Sequence, residues 1–250
     1  MIICHSKKFI YIHIPKTGGE SVEKALGSHL KRPLLNQKDL ILGSTKLGIK
    51  LNNYYKKKYS LHKHSGIQKI FNLYNSKKEI NDYRIGALIR DPISRSFSYF
   101  NYIAFIVENS LNKINKKKDY SYLIEKIKEK DYGKMNFLKW RITKAYLESD
   151  GDPNLFFHNS NFKEIEPQVN FLKIEGKISN KLILIKLEEI NSSTNLFEKL
   201  TGVKNLKIPW KNKSPQKIAN FNRVKTNTIK ILYAQFKEDY ELLPYSYAIQ

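Results

Sequence analysis

The apolar positions of the chain fall into short continuous runs that alternate with segments of helical spacing. Residues 9–14 form a β-branched and aromatic run, which is typical of a strand buried on both faces of a parallel sheet. The segment 15–19 contains Pro and two Gly residues and interrupts this run, and residues 21–26 then have helical spacing. This order predicts a strand, a glycine-containing loop and a helix.

A second unit of the same kind lies further along the chain. Residues 83–89 predict a short strand, and residues 93–106 predict a helix. The turn between them contains Arg90, Asp91 and Pro92. Proline suits the first position of a helix and aspartate suits the N-cap before it, so this turn predicts a sharp start to the helix.

The rest of the chain completes an alternating pattern. Residues 182–185 predict a third strand, residues 192–200 a helix, and residues 224–240 a last amphipathic helix. Strands that alternate with helices predict an α/β fold with a mainly parallel central sheet flanked by helices. We interpret 1–250 as a single domain, with a mostly helical, lysine-rich insertion at about 109–180. The segment 36–59 lacks clear periodicity and predicts a loop.

Composition restricts the class of protein. A chain of 250 residues with 41% hydrophobic residues is typical of one large globular domain. Its one cysteine, Cys4, excludes an internal disulfide. No stretch approaches the roughly 20 apolar residues of a membrane span, and no signal-peptide pattern precedes the first strand. We therefore expect a cytoplasmic protein. No His, Cys or carboxylate group has metal-ligand spacing, so we expect no metal.

The formal net charge of +22 predicts an anionic partner such as nucleic acid, lipid, nucleotide or polysaccharide. However, the chain has 39 lysines and six arginines, together with many Asn and Ile residues, and this pattern indicates a codon bias. The scarce arginines are therefore more informative than the lysines. Two of them, Arg90 and Arg95, fall within one short segment.

The loop at 15–21 has the features of an anion site. Backbone amides at a helix N-terminus bind phosphate-like groups, and the two glycines allow close approach of the backbone. A lysine adds positive charge, and a threonine and a serine add hydroxyl donors. The same residues could form a tight turn with an exposed lysine, but the position after a buried strand favours anion binding. The candidate residues are Lys16, Thr17, Gly18, Gly19 and Ser21.

This loop differs from the loop that binds nucleoside triphosphates. That motif requires Gly-x-x-x-x-Gly-Lys-Ser/Thr, with the lysine after the glycines. Here Lys16 precedes the glycines, and no match to that motif occurs elsewhere in the chain. The pattern therefore argues against an ATPase, a kinase or a GTPase.

Residues 11–19, Tyr-Ile-His-Ile-Pro-Lys-Thr-Gly-Gly, closely resemble the 5′-phosphosulfate loop of sulfotransferases that depend on 3′-phosphoadenosine 5′-phosphosulfate (PAPS). They are most similar to the carbohydrate sulfotransferases that include the heparan 2-O-sulfotransferase type. The resemblance implies a P-loop-like sheet, PAPS as the sulfuryl donor, and a contact between Lys16 and the leaving group. The chain departs from the family at Glu20, where Thr or Ser is usual.

Residues 89–99 resemble the segment that binds the 3′-phosphate in the same family. There an arginine ends a strand and a serine follows eight residues later on a helix, which are Arg90 and Ser98 here. Guanidinium suits phosphate because it donates in a planar fork. On the residues alone, a surface helix start with an Asp91–Arg95 ion pair is the alternative.

Weaker similarities extend over the rest of the chain. They are a His-containing segment at 61–65, a Pro-Gln element at 166–168, a late loop at 212–214 and an acidic-aromatic end at 239–245. In the family the late loop closes over the nucleotide, which implies cofactor contacts from Lys213 and Ser214.

Sulfuryl transfer should parallel phosphoryl transfer, with in-line attack by a hydroxyl that must lose its proton. A nearby histidine is the usual base. We favour His64 as the base and His62 as its helper or an acceptor contact, with the reverse order left open. If their segment is extended, both rings face one side. We expect His13 to be structural because it lies on a buried strand, and Glu20 is the alternative base.

Two other functions compete with a carbohydrate sulfotransferase. A basic nucleic-acid-binding protein is compatible with the charge, but no helix-turn-helix, zinc-finger or RNP-like motif supports specific nucleic-acid binding. A sulfotransferase acting on a lipid, a small molecule or a protein tyrosine would have the same cofactor motifs. The positive charge favours a carbohydrate acceptor, including polyanionic ones.

Overall fold

Two groups of residues pack into separate units in the computed structural model of the chain. The structure describes residues 1–27, 29–30, 39–41, 53–54, 56–74, 80–115, 119–159, 165–209 and 218–246. The first group, which we call the sheet unit, contains Met1–Asp91 and Gln168–Asn212. The second, which we call the helical unit, contains Pro92–Pro167 and Lys213–Gln250.

The strands and helices follow the chain in this order. The strands are β1 Ile2–Cys4, β2 Phe9–Ile12, β3 Asp39–Ile41, β4 Arg84–Ile89, β5 Lys173–Ile174, β6 Lys177–Ile178 and β7 Ile183–Lys186. The helices are α1 Gly19–Gly27, α2 Ile67–Leu73, α3 Pro92–Lys113, α4 Tyr120–Lys128, α5 Arg141–Glu148, α6 Pro153–Asn159, α7 Val169–Leu172, α8 Thr194–Thr201, α9 Thr226–Gln235 and α10 Lys237–Leu242. Short 3₁₀ helices cover Asn136–Lys139 and Leu187–Glu189.

The sheet unit is built around five strands in the order β3-β1-β2-β4-β7. β2, β4 and β7 are parallel, whereas β1 is antiparallel to both of its neighbours. β5 and β6 form a separate antiparallel pair. The prediction of an α/β fold with a mostly parallel central sheet is therefore confirmed.

Helices flank this sheet because their apolar faces pack on it. α1 contributes Val22 and Leu26, and α8 contributes Phe197 and Leu200, to one buried cluster with the strands. The strand residues of this cluster include Phe9, Tyr11, Leu88 and Ile185. Burial of each such side chain contributes about 1.5–3 kcal/mol to the hydrophobic term.

The helical unit has its own core, which is rich in aromatic side chains. Phe100 of α3 is fully buried and contacts Phe156 edge-on, with ring centroids 4.9 Å apart. Tyr146 and Phe157 complete this group of rings. No helix among the described residues has the length and apolar character that a membrane span requires.

Part of the segment 36–59 contradicts the predicted loop. β3 lies within it and pairs with β1, and residues 53–54 and 56–59 are helical. β3 has three residues, which is too short for a periodic signal, and its pairing with β1 depends on backbone hydrogen bonds. The other residues of this segment lie outside the described part of the chain.

The prediction of one continuous helix over 224–240 is also wrong. α9 ends at Gln235 and α10 begins at Lys237, with Phe236 between them at φ −106° and ψ 21°. The ring of Phe236 is fully buried, and the Arg95 guanidinium lies 5.7 Å from its centroid. Helical spacing along the chain contains no sign of this tertiary contact.

The boundaries of the predicted insertion differ from those of the two units. The helical unit begins at Pro92, because the helix predicted over 93–106 continues to Lys113 as α3. Residues 168–180 belong to the sheet unit and include the β5–β6 pair. The interpretation of 1–250 as one domain stays a prediction.

Candidate active site

The loop between β2 and α1 is tight and has unusual backbone angles. Lys16 has φ 67° and Gly18 has φ 86°, and the Ser21 amide donates to the Gly18 carbonyl at 3.0 Å. A residue other than glycine rarely adopts such an angle, so Lys16 stores backbone strain of a kind that clusters at ligand sites. A Cβ on Gly18 would lie 2.9 Å from Leu187 Cδ1.

Gly19 is required for a reason that the sequence does not reveal. A Cβ at this position would lie 2.2 Å from Cδ2 and 2.4 Å from Nε2 of His13. The absence of a side chain therefore admits the imidazole of His13 beside the first turn of α1. The predicted role in close approach of the backbone to an anion is compatible with this packing.

Thr17 has a structural contact within the loop, and its predicted contact with an anion stays a prediction. Its side chain is fully buried, and its hydroxyl donates to the Ile14 carbonyl at 2.9 Å. Thr17 therefore stabilises the shape of the loop. Ser21, in the first turn of α1, is also buried.

Lys16 and Arg90 bring two positive charges to the same place. The Arg90 guanidinium donates through Nη1 to the Lys16 carbonyl at 3.4 Å. Burial and, after it, the charge of Arg90 lower the pKa of Lys16 to about 8. Two cations held together in a partly buried position are stabilised by a bound anion, since the anion relieves their repulsion.

Gln168 holds the backbone of Arg90 in place. The Arg90 amide donates to Gln168 Oε1 at 2.9 Å, and Gln168 Nε2 donates to the Arg90 carbonyl at 2.7 Å. Gln168 is fully buried. The similarity at 166–168 pointed to this glutamine but gave it no role. Its partner Arg90 is 78 residues away, so the local sequence pattern does not reveal the contact.

The segment with His62 and His64 is not extended, so the condition for placing both rings on one side is not met. The segment is a turn, in which the Ser65 amide donates to the His62 carbonyl at 2.9 Å. The Ser65 hydroxyl in return accepts from the His62 amide at 2.9 Å. These two hydrogen bonds close the turn, so the two rings do not take the same-side arrangement of a strand.

Hydrogen bonds assign the proton on each of the two imidazoles. Nδ1 of His64 lies 2.9 Å from the His13 carbonyl, and a carbonyl can only accept, so Nδ1 carries the proton. Nδ1 of His62 accepts from the His64 amide at 3.1 Å, so a neutral His62 carries its proton on Nε2. Nε2 of His64 can therefore accept a proton, and Nε2 of His62 can donate a hydrogen bond.

Both imidazoles are held in the neutral form. Burial lowers the pKa of His64 to about 2, with further contributions from His13 and Lys63. Burial also lowers the pKa of His62, followed by the charges of Lys69 and Lys56. For both rings, the effect of neighbouring positive charges is secondary to burial.

His13 forms a buried pair with Glu23 of α1. Nδ1 of His13 lies 2.6 Å from Glu23 Oε1, and the α-amino group of Met1 lies 2.8 Å from the same oxygen. The nearby Glu20, the alternative base, forms an ion pair with Lys63 at 3.3 Å. These contacts connect the loop, α1 and the histidine turn within the sheet unit.

Comparison with known proteins identifies the class of enzyme. The family model described as Sulfotransferase family matches residues 1–246, which is nearly the whole chain. The chain belongs to the sulfotransferase family. Searches of curated proteins and of solved structures found no match. The family generally uses PAPS as the sulfuryl donor. This chain is therefore a transferase of sulfuryl groups.

The cofactor contacts of three further residues of this sulfotransferase stay predictions. Ser98 is half-buried on α3 and belongs to the helical unit, whereas Arg90 belongs to the sheet unit. Their shared contact with a 3′-phosphate stays a prediction. Lys213 and Ser214 lie outside the described residues.

Arg95 of the sulfotransferase is not a surface residue. Its side chain is 1% exposed, and Nη2 donates to the Glu166 carbonyl at 2.6 Å. The alternative prediction placed Arg95 on the surface at the start of the helix. The burial of its side chain contradicts that position. Within the described part of the chain, no group of three His, Cys, Asp or Glu residues could hold a metal ion.

Proposed function

We propose that this sulfotransferase transfers the sulfuryl group of PAPS to a hydroxyl of a carbohydrate acceptor, with His64 as the general base. One observation carries the proposal: the base-competent His64 is hydrogen-bonded to His13, whose chain continues directly into the loop of Lys16. This contact ties the group that accepts a proton to the loop that carries the candidate donor-binding lysine.

The donor half of the site uses positive charge. In an in-line transfer, negative charge develops on the oxygen that links sulfur to the 5′-phosphate. Lys16 and the loop amides of Gly18 and Gly19 stabilise this oxygen, since fixed donors act on charge that develops in the transition state. Thr17 keeps the loop in shape, and Ser21 lies in the first turn of α1. We assign the 3′-phosphate to Arg90 and Ser98, and contacts to the nucleotide to Lys213 and Ser214.

The acceptor half of the proposed site depends on the different tautomers of His64 and His62. The acceptor oxygen forms a bond to sulfur as the bond between sulfur and the 5′-phosphate oxygen breaks, and adenosine 3′,5′-bisphosphate leaves. The hydroxyl proton passes to Nε2 of His64, whose low pKa in the free protein rises when the negatively charged donor binds beside it, since a nearby anion favours the imidazolium. Nε2 of His62 carries a proton and therefore orients the acceptor by donating a hydrogen bond. This difference favours His64 over His62 as the base.

The nature of the acceptor rests on similarity and charge. The loop at 11–19 resembles that of carbohydrate sulfotransferases of the heparan type, and the chain has a net charge of +22. Repeated weak contacts between lysines and the sulfates or carboxylates of a glycan add up along a polymer. We therefore propose a carbohydrate acceptor, including polyanionic glycans.

An acceptor screen with radiolabelled PAPS tests this proposal. The screen compares neutral glycans, carboxylated and sulfated glycans, tyrosine peptides, hydroxylated lipids and small phenols, each with wild type and with His64→Ala. We expect label to enter a glycan with wild type and not with His64→Ala. Transfer to a peptide, lipid or phenol without transfer to any glycan would overturn the carbohydrate assignment.

A further inference from the structure

His13 contacts both halves of the proposed site. Its carbonyl accepts from Nδ1 of His64, and its ring meets the His64 ring edge-on at a centroid distance of 4.6 Å. The same ring fills the space where Gly19 lacks a side chain. His13 is 3% exposed, so these contacts occur away from solvent.

Glu23 fixes the orientation of this ring. Its Oε1 accepts from Nδ1 of His13 at 2.6 Å, and among the described residues its Oε2 has no hydrogen-bond partner. Burial alone would raise the pKa of Glu23, but the hydrogen bond from His13 and the charge of the Met1 amine lower it to about 2. Burial lowers the pKa of His13. The pair is therefore a carboxylate and a neutral imidazole whose proton lies on Nδ1.

A buried carboxylate that holds another side chain lowers the stability of the fold through the loss of its hydration. Removal of a charge from water costs several kcal/mol unless hydrogen bonds compensate, and apolar pairs of similar volume are often equally stable or more so. The hydrogen bond from His13 to Glu23 instead fixes the rotation of the His13 ring, which apolar packing would leave less defined. The His13 ring of this pair contacts the ring of His64 edge-on.

We propose that His13 and Glu23 are positioning residues for the base. Glu23 fixes the ring of His13, and this ring restricts the rotation of the His64 ring that it meets edge-on. The main-chain carbonyl of His13 fixes the tautomer of His64, so that Nε2 of His64 points its lone pair at the acceptor hydroxyl. The ring nitrogen that carries the proton is set by the hydrogen bond that this nitrogen makes. This inference rests on the proposed role of His64 as the base.

The tautomers give a test that does not require turnover. Long-range ¹H–¹⁵N correlation spectra of the full chain, with its six histidines assigned by substitution, report which nitrogen of each ring is protonated. At neutral pH we expect Nδ1–H for His13 and His64, and Nε2–H for His62. A wild-type His64 that carries its proton on Nε2 would overturn the proposal, whatever the activity of the enzyme.

Substitutions of Glu23 test the positioning step. Glu23→Gln keeps an oxygen that accepts from His13, so His13 should stay Nδ1–H and the single-turnover rate should stay within about threefold. Glu23→Leu removes the acceptor, so His13 should become a mixture of tautomers, while His64 should stay Nδ1–H because its partner is the main-chain carbonyl of His13. The single-turnover rate of Glu23→Leu should fall about tenfold or more, a part of the 10²–10⁴ that base catalysis contributes. The exposed His29→Asn is the matched control and should change neither measurement.

The outcomes separate this inference from the proposed function. A folded Glu23→Leu protein with an unchanged single-turnover rate would overturn the positioning role. If Glu23→Leu does not fold, His13→Asn, which keeps an amide donor for Glu23, takes its place together with His13→Leu, and equal rates in these two would overturn the role. An active His64→Ala enzyme would instead refute the base assignment, and the tautomer measurement would stand by itself.

Discussion

At the scale of single residues, Lys16 combines two unfavourable features. It has a left-handed backbone angle, and burial together with the charge of Arg90 depresses its pKa to about 8. Both features cost stability in the free protein, and a bound anion compensates the electrostatic part. Such a residue is expected where a ligand, and not the fold, determines the choice of side chain.

Lys16→Ala should lower the rate of sulfuryl transfer more than it lowers the affinity for adenosine 3′,5′-bisphosphate. The lysine acts on charge that develops in the transition state, so its loss appears mainly in the chemical step. Rapid-quench single-turnover kinetics and calorimetry measure the two effects separately. Equal losses in both would assign Lys16 to ground-state binding alone.

The same lysine predicts a pH dependence of binding. Since the pKa of Lys16 in the free protein is about 8, the side chain loses its charge as the pH rises above that value, and the anion must then bind with uptake of a proton. Affinity for adenosine 3′,5′-bisphosphate should fall by about tenfold between pH 8 and pH 9.5 in wild type. In Lys16→Ala this fall should be absent. Calorimetry at several pH values makes the comparison, and an identical pH profile in both proteins would contradict the assignment.

Arg90→Ala should weaken binding of adenosine 3′,5′-bisphosphate by about 1.5–3 kcal/mol, as expected for a lost charge-assisted hydrogen bond. Arg90→Lys should recover only part of this loss, because lysine lacks the planar fork. The exposed Arg141→Ala is the control and should bind normally. Calorimetry with AMP gives the decisive contrast: equal affinities of wild type for AMP and for the bisphosphate would refute a 3′-phosphate site at Arg90.

At the scale of elements, the junction between β2 and α1 joins the donor loop to the base. Gly19 is the first residue of α1, and its Cβ position coincides with the ring of His13. The helix can begin here only if this position has no side chain. Packing at the start of α1 thus affects both the conformation of the donor loop and the position of His13, which contacts His64.

Gly19→Ala should therefore destabilise the protein by about 1–3 kcal/mol, as is usual for overpacking, and should reduce donor binding as well. Gly27→Ala, at the other end of α1, is the matched control. An added Cβ there meets nothing within 4 Å, so this change should leave binding unaltered and stability unchanged or slightly raised. Thermal unfolding with and without adenosine 3′,5′-bisphosphate measures both effects. A Gly19→Ala protein as stable as wild type would show that His13 moves away without cost.

Elements with strong local signals could be predicted from the sequence, and elements that depend on distant partners could not. The strands β2, β4 and β7 lie within a few residues of their predicted positions because their apolar runs are continuous. β1 and β3 have three residues each and exist as strands through their pairing with each other and with β2.

The same distinction applies within the site. Lys16 and Arg90 stand out by residue type and spacing, whereas the His13–Glu23 hydrogen bond joins a residue just after β2 to a residue of α1 ten positions later. Gln168 lies 78 positions from its partner Arg90. The turn at His62 depends on the hydroxyl of Ser65, which no periodic pattern reveals. Contacts that orient site residues are therefore the part that required the structure.

At the scale of the whole molecule, one buried and two half-buried histidines link stability to pH. The pKa values of His13, His62 and His64 are all lowered, chiefly by burial. The folded protein keeps these rings neutral, while the unfolded chain takes up protons below pH 6.5. The unfolded state therefore binds more protons, and the free energy of unfolding falls as the pH decreases.

Acidification from pH 7.5 to pH 5.5 should lower the urea concentration at which the sheet unit unfolds. Below pH 4.5, Glu23 should add to this loss, because its folded pKa is about 2 and its carboxylate is stabilised only while it is ionised. Urea unfolding followed by circular dichroism tests the trend. His64→Asn should reduce the slope with pH, and the exposed His29→Asn should not. A flat stability between pH 7.5 and pH 5.5 would contradict the neutral, buried state of these rings.

The most direct test of the central claim is the single-turnover rate of sulfuryl transfer from PAPS to the acceptor in His64→Ala, beside its affinity for adenosine 3′,5′-bisphosphate. With His64 as the base, we predict that the rate falls by about 10²–10⁴ while the affinity stays unchanged. His62→Ala should lose less, because His62 only donates a hydrogen bond to the acceptor. A His64→Ala enzyme that transfers sulfuryl at nearly the wild-type rate would contradict the account.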